Sequence, residues 1–139
     1  FWESLNIACL GKLPLIYLIQ DNQYAISVPV EVQTAGGSIS KLVKSFPDLH
    51  VIEVDGTNFV ESYLALQEAA RYCREGRGPA FVHAHVTRPY SHSLSDDERH
   101  YKSEAERLRE AERDPVEWMQ HFLVDKGVYS PAEVESIRT

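Results

Sequence analysis

Three short stretches of this chain carry side chains able to do chemistry. The first is Gln20-Asp21-Asn22-Gln23-Tyr24, where carboxamide, carboxylate and backbone carbonyl oxygens crowd together directly after an apolar run. Such oxygens, at the end of a strand where cations or phosphates are held, suit Mg²⁺ or Ca²⁺, although a polar turn that merely ends the strand is the favoured reading. The second is Phe81-Val82-His83-Ala84-His85-Val86. In an extended strand its two histidines share one face about 7 Å apart. That spacing is open to a transition metal, but imidazoles that line a cleft or hydrogen-bond on a sheet face are the favoured reading. A metal would need further ligands, for which the sequence offers His92, His100 or loop carboxylates. The third stretch pairs Arg88 with His92, a permanent fork of donors with a residue type that titrates near neutrality, a combination suited to a phosphate and a proton. Ser93 and Ser95 beside Asp96 do not make a Ser-His-Asp triad, because no nucleophile elbow precedes them and adjacency in sequence is not triad geometry.

The elements that must position these residues follow from the apolar pattern. Leu15 to Ile19 is apolar on both faces and bounded by Pro14 and Gln20, as a central parallel strand would be. Ser38 to Phe46 reads as a short helix after Gly36-Gly37, and His50 to Val54 as a second strand ending in Asp55-Gly56. From Phe59 to Glu75, apolar Phe59, Tyr63, Leu66, Ala70 and Cys73 recur every three or four residues, with Asn58 as N-cap and Gly76 as the left-handed stop. Ala80 to Val86 is a third strand. Helices alternating with strands predict an α/β fold, a doubly wound parallel sheet with helices on both faces, in residues 1–90. Residues 91–102 are polar and aperiodic, a long loop of the kind that is functional or mobile. Residues 103–139 form a helical tail. Its Ser103 to Arg113 segment, with alternating Glu and Arg, reads as a solvated face. Asp114-Pro115-Val116-Glu117 and Ser130-Pro131-Ala132-Glu133 are capping boxes with Pro at the first helical position.

Composition narrows the function further. The 139 residues include 14 Lys plus Arg against 21 Asp plus Glu, a net charge of −7. An acidic chain without a basic cluster lacks the electrostatic footprint of a nucleic-acid binder. The longest strongly apolar run, Leu13 to Ile19, is far shorter than the roughly twenty residues of a membrane-spanning helix. Cys9 and Cys73 lie far apart on helical patterns and are expected to be buried free thiols. The first residues, Phe1 to Cys9, trace a helical stripe already under way with no cap before it, so the chain is expected to begin inside a larger protein.

Asp21-Asn22-Gln23-Tyr24-Ala25-Ile26-Ser27-Val28-Pro29 and Tyr90-Ser91-His92-Ser93-Leu94-Ser95-Asp96-Asp97, in that order and with these elements between them, resemble a known family. The likeness is to the alpha subunit of thiamine-diphosphate-dependent 2-oxoacid dehydrogenases. It also takes in Lys12-Leu13-Pro14, Asp55-Gly56-Thr57-Asn58 and Arg113-Asp114-Pro115, and so covers nearly the whole chain. The resemblance implies the C-terminal part of a three-layer thiamine-diphosphate-binding fold. It implies Mg²⁺ held by the Asn22 side chain and the Tyr24 backbone carbonyl, bridging the diphosphate of thiamine diphosphate. Ile26, Arg88 and His92 would contact the cofactor, and His92 would assist acyl transfer as the catalytic residue. The family's remaining metal ligand, the Asp of a Gly-Asp-Gly turn, occurs nowhere in the chain and is expected upstream of Phe1.

Gln20, Arg88-Pro89-Tyr90 and Lys102 depart from residues common in the family. Ser93 falls where mitochondrial relatives are phosphorylated. The implied activity is decarboxylation of a 2-oxo acid, branched-chain favoured over pyruvate or acetoin, with acyl transfer to lipoamide. The implied partners are a beta subunit or fused beta domain and a lipoyl-bearing acyltransferase, in a hetero-oligomer or a dimer of fused chains. The implied location is cytoplasmic, or the mitochondrial matrix in a eukaryote. The chain by itself is expected to turn over no 2-oxo acid. Two other readings stay open, a metal-dependent hydrolase using His83 and His85 and a non-catalytic assembly module.

Overall fold

A computed structural model describes residues 1–138. The chain opens with α1 (Trp2–Leu10) and β1 (Ile16–Asp21), then a small hairpin of β2 (Tyr24–Ala25) and β3 (Val28–Pro29). Short helices α2 (Val30–Gln33) and α3 (Ile39–Val43) lead to β4 (His50–Asp55), α4 (Phe59–Arg74) and β5 (Ala80–His85). After a loop come α5 (Glu104–Ala111), α6 (Pro115–Asp125) and α7 (Pro131–Arg138). No helix among the described residues is long and apolar enough to cross a membrane.

Strands β1, β5 and β4 pair in parallel in that order, so Asp21, His85 and Asp55 stand side by side at the carboxyl end of the sheet. Alternation along β5 sends Phe81 to one face and Ala80, Val82 and Ala84 to the other. Phe81 packs with Leu5 and Cys9 of α1 and Val43 of α3. The other face packs on Ala65, Ala69 and Cys73 of α4. Helices therefore cover both faces of a parallel sheet, as the helix and strand alternation predicts. Cys9 and Cys73 are both buried and unbridged.

Two expectations about the core change. β1 is not the central strand: β5 is, and β1 lies at an edge of the three, with Ile16 and Leu18 exposed. An apolar strand with both faces hydrophobic does not reveal its neighbours, because strand order is set by crossover connections and not by the strand's own residues. The α4 stripe holds at Cys73, which is buried, but is displaced over its first turns. Phe59 and Tyr63 are more than half exposed and Leu66 is 39% exposed, while Ala65 and Ala69 face the sheet. Small alanines let the helix approach Val54, Val82 and Ala84 closely.

Capping follows the sequence closely. The Asn58 side chain accepts hydrogen bonds from the Val60 and Glu61 amides, and Gly76 adopts φ 70° just past α4. Asp114 caps α6 with Pro115 at its first position, but the expected box does not close there, because the Asp114 amide donates to the Ala111 carbonyl and Glu117 pairs with Arg138. The Ser130 amide donates to Glu133 Oε2 at 2.8 Å and the Glu133 amide to Ser130 Oγ at 3.3 Å, a reciprocal box. Arg113 Nη2 donates to Asp55 Oδ1 at 2.9 Å and so ties the tail to the sheet.

Candidate functional site

At the end of β1 two side chains fold back on the chain in succession. Asp21 Oδ1 accepts the Gln23 amide at 2.8 Å and Asn22 Oδ1 accepts the Tyr24 amide at 3.0 Å. These turns carry Gln23 into the left-handed region at φ 68° and are followed by Ile26 at φ 59°. A β-branched residue there is strained. What fixes Ile26 is Arg88, whose Nη1 donates to the Ile26 carbonyl at 2.8 Å.

Arg88 is the centre of a polar clamp. Its guanidinium carbon lies 5.7 Å from the ring centres of both Tyr24 and Tyr101, and Nη2 donates to the Tyr101 hydroxyl at 2.5 Å. Tyr101 in turn donates to Asp96 Oδ2 at 2.5 Å, which also accepts the His92 amide at 2.9 Å. The Tyr101 hydrogen bond, and after it the His92 amide, hold the Asp96 carboxyl below the usual carboxylate range. From α5, Glu106 Oε1 accepts the Tyr24 hydroxyl at 2.6 Å; burial first, and then this bond, push the Tyr24 phenol up to about 12. The fully buried Lys102 ammonium bonds Glu110, lies 3.7 Å from Glu98, and donates to the Arg88 carbonyl at 3.3 Å.

Asn22, Tyr24, Ile26 and Arg88 are thus brought into one cluster at the carboxyl end of the sheet. His92 joins it through its backbone alone: the side chain stands on the exposed loop, as does Ser93. Sequence patterns alone do not single out Tyr101, Glu106 or Glu110, and mark Lys102 only as a replacement for arginine. The α5 segment is not merely a solvated face, because Glu106 and Glu110 turn inward onto Tyr24 and Lys102. No local signal marks them, since Tyr24 and Glu106 are 82 residues apart.

Beside this cluster, His83 is buried completely and its Nε2 lies 2.8 Å from Asp21 Oδ2. The His85 ring sits 4.3 Å away, centre to centre, with Nε2 3.8 Å from Glu53 Oε2. The Ser40 hydroxyl, and more weakly Lys44, keep Glu53 below its ordinary range against the opposing effect of burial. Asp21, His83 and His85 each offer a ligand atom within 4.8 Å of the others; among the described residues no other group of His, Cys, Asp and Glu does so. His92 and His100 stay outside it, in the loop.

Asn22 Oδ1 keeps a second lone pair while accepting the Tyr24 amide, and the Tyr24 carbonyl is another hard oxygen, so this donor set fits Mg²⁺. Asp21 is directed instead at Gln23 and His83.

The sequence model of the family described as dehydrogenase E1 component matches residues 1–139. The chain is 33% identical over 137 residues to the pyruvate dehydrogenase E1 component subunit alpha of Mycoplasma pneumoniae, covering 99% of this chain and 38% of that protein. It is 35% identical over 135 residues to the 3-methyl-2-oxobutanoate dehydrogenase subunit alpha of Mycobacterium tuberculosis, covering 97% and 36%. It is 33% identical over 130 residues to the 2-oxoisovalerate dehydrogenase subunit alpha of Bacillus subtilis, covering 94% and 39%. The chain therefore spans less than two-fifths of the length of each of these relatives.

Proposed function

The chain belongs to the dehydrogenase E1 component family, and from that premise we propose that it forms the diphosphate-holding part of an alpha subunit that decarboxylates a 2-oxo acid. The observation that carries this reading is the paired turn at Asp21 to Tyr24, which sets an amide oxygen and a backbone carbonyl at the carboxyl end of a parallel sheet, where open α/β folds bind ligands. In this reading the Asn22 side chain and the Tyr24 carbonyl would hold Mg²⁺, which would supply the positive charge that a diphosphate needs. Thiamine diphosphate, when bound, supplies the electron sink that decarboxylation requires.

The residues of this chain bind and orient. Arg88 donates one hydrogen from each terminal nitrogen, to Ile26 and to Tyr101, so it positions the turn and keeps further N–H donors for the cofactor. Ile26 presents its exposed side chain from the strained turn. His92, tied through its amide to Asp96, presents its imidazole from the 91–102 loop and is the catalytic residue that moves a proton during acyl transfer. The finer architecture belongs to the same proposal: residues 1–90 are part of a three-layer thiamine-diphosphate-binding domain, and residues 103–139 are its tail.

Branched-chain 2-oxo acids are favoured as substrate, with pyruvate the main competitor, and the acyl group passes to lipoamide on an acyltransferase. A beta subunit or fused beta domain completes the site, in the cytoplasm or, in a eukaryote, the mitochondrial matrix. The exposed Phe59, Tyr63 and Leu64 of α4 and Leu18 of β1 support such packing partners, and also favour the assembly-module reading over a free-standing domain.

Calorimetry with thiamine diphosphate and Mg²⁺ on the full-length protein assembled with its beta partner tests the function. Wild type is expected to bind and Asn22→Ala to lose most of the heat. Equal binding by the two would remove the metal role of Asn22, and no binding by either would favour the assembly module.

A further inference from the structure

We propose that Asp21, His83 and His85 form a second cation site, distinct in its chemistry from the Asn22 and Tyr24 oxygens and selective for a divalent transition ion such as Zn²⁺. Imidazole nitrogen with one carboxylate is a donor set for Zn²⁺ and its neighbours in the first transition row, whereas Mg²⁺ takes oxygen. The site is built from the sheet itself. β5 projects both histidines to one face, and β1 brings Asp21 into register with His85, so the three residues stand on two hydrogen-bonded strands and not on loops.

The observation that points to a ligand is the convergence of one ligand atom each from Asp21, His83 and His85, with His83 as its anchor. His83 has no solvent exposure, Nε2 is engaged by Asp21, and Nδ1 is buried without any hydrogen-bond partner. An ion between Asp21 and His83 would bind Nε2 in place of the proton shared there, and Nδ1, on the far side of the ring, stays outside the donor set.

The spacing is near what is needed. Ligand atoms in a tetrahedral zinc site stand roughly 3.3 Å apart, given metal bonds of about 2.0–2.1 Å. Here they lie within 4.8 Å of one another. His83 and Asp21 are already at 2.8 Å, so His85, whose side chain is 40% exposed, is the member free to close. Glu53, 3.8 Å from His85, or a water would take the fourth position. An ion held here clamps β1 to β5 at the residue before Asn22 and braces the turn above it.

Equilibrium dialysis of the full chain against Zn²⁺, with Co²⁺ as a spectroscopic probe, tests the proposal. About one equivalent is expected, with a rise in melting temperature and visible Co²⁺ absorption of the four-coordinate type. His85→Ala, at the exposed end of the set, is expected to fold normally and lose affinity about 10- to 100-fold or more, and Asp21→Asn to lose it comparably. Asn22→Ala should leave zinc binding intact, so the diphosphate reading and this one fail separately. Absence of stoichiometric zinc, or zinc retained at wild-type affinity in both His85→Ala and Asp21→Asn, would overturn the proposal.

Discussion

The buried Lys102 is the most exacting test of the clamp. Its side chain has no solvent exposure, while Glu110 and Glu98 are 16% and 14% exposed. Breaking a buried pair by removing one partner costs about 3–5 kcal/mol, because the other charge is left behind uncompensated. In Glu110→Gln the ammonium keeps Glu98 at 3.7 Å and the Arg88 carbonyl at 3.3 Å. The expected loss is therefore smaller than the full range, about 2–3 kcal/mol. Lys102→Met removes the cation and leaves two carboxylates facing each other at the edge of the cluster, a loss of similar size.

Urea denaturation measures both, as a lower midpoint at unchanged slope. The decisive variant is the double substitution Lys102→Met/Glu110→Gln. With the buried charge gone, it should be less destabilised than the sum of the single variants, by about 1.5–2 kcal/mol, within the range known for contacting groups. Raised salt should change this coupling little, because a pair sealed from water is weakly screened. Additivity to within about 0.5 kcal/mol would refute the reasoning: Lys102 would then reach solvent in solution, and Arg88 would lack the support inferred for it.

Two further outcomes follow from the same geometry. Tyr24, with its phenol pushed up to about 12, gives stability that is fully present below the ordinary tyrosine value near 10 and is lost as pH rises through 12; in an alkaline absorbance titration Tyr24→Phe should delete a late-titrating phenolate, and an unchanged curve would contradict the Glu106 bond. Gly56→Ala would set a Cβ 2.6 Å from Val86 Cγ1 and 3.2 Å from the His85 carbonyl, an overpacking that should lower stability by about 1–3 kcal/mol in urea denaturation, and a neutral result would mean that β5 yields there.

What the sequence makes legible is what is encoded locally. Asn58, Asp114, Ser130 and Glu133 cap their helices because a cap needs only the residues that it touches, two or three positions away. The turn at Asn22 and Tyr24 is legible for the same reason. The hairpin at Tyr24 to Pro29 is not, because its tight turn uses Ile26 at positive φ, where glycine or asparagine is the usual marker. The buried face of α4 is hidden because the larger side chains make the more conspicuous stripe, whereas the fit to Val82 and Ala84 selects Ala65 and Ala69.

The polar clamp lies furthest from sequence reading, since its bonds join residues 13, 62 and 82 positions apart. His83 and His85 show the boundary most clearly. Alternation puts them on one face, yet their chemistry stays undecided until the pairing of β1 with β5 supplies Asp21. A motif of two ligands becomes a candidate site only when a third arrives by strand register, and register is a property of the sheet as a whole.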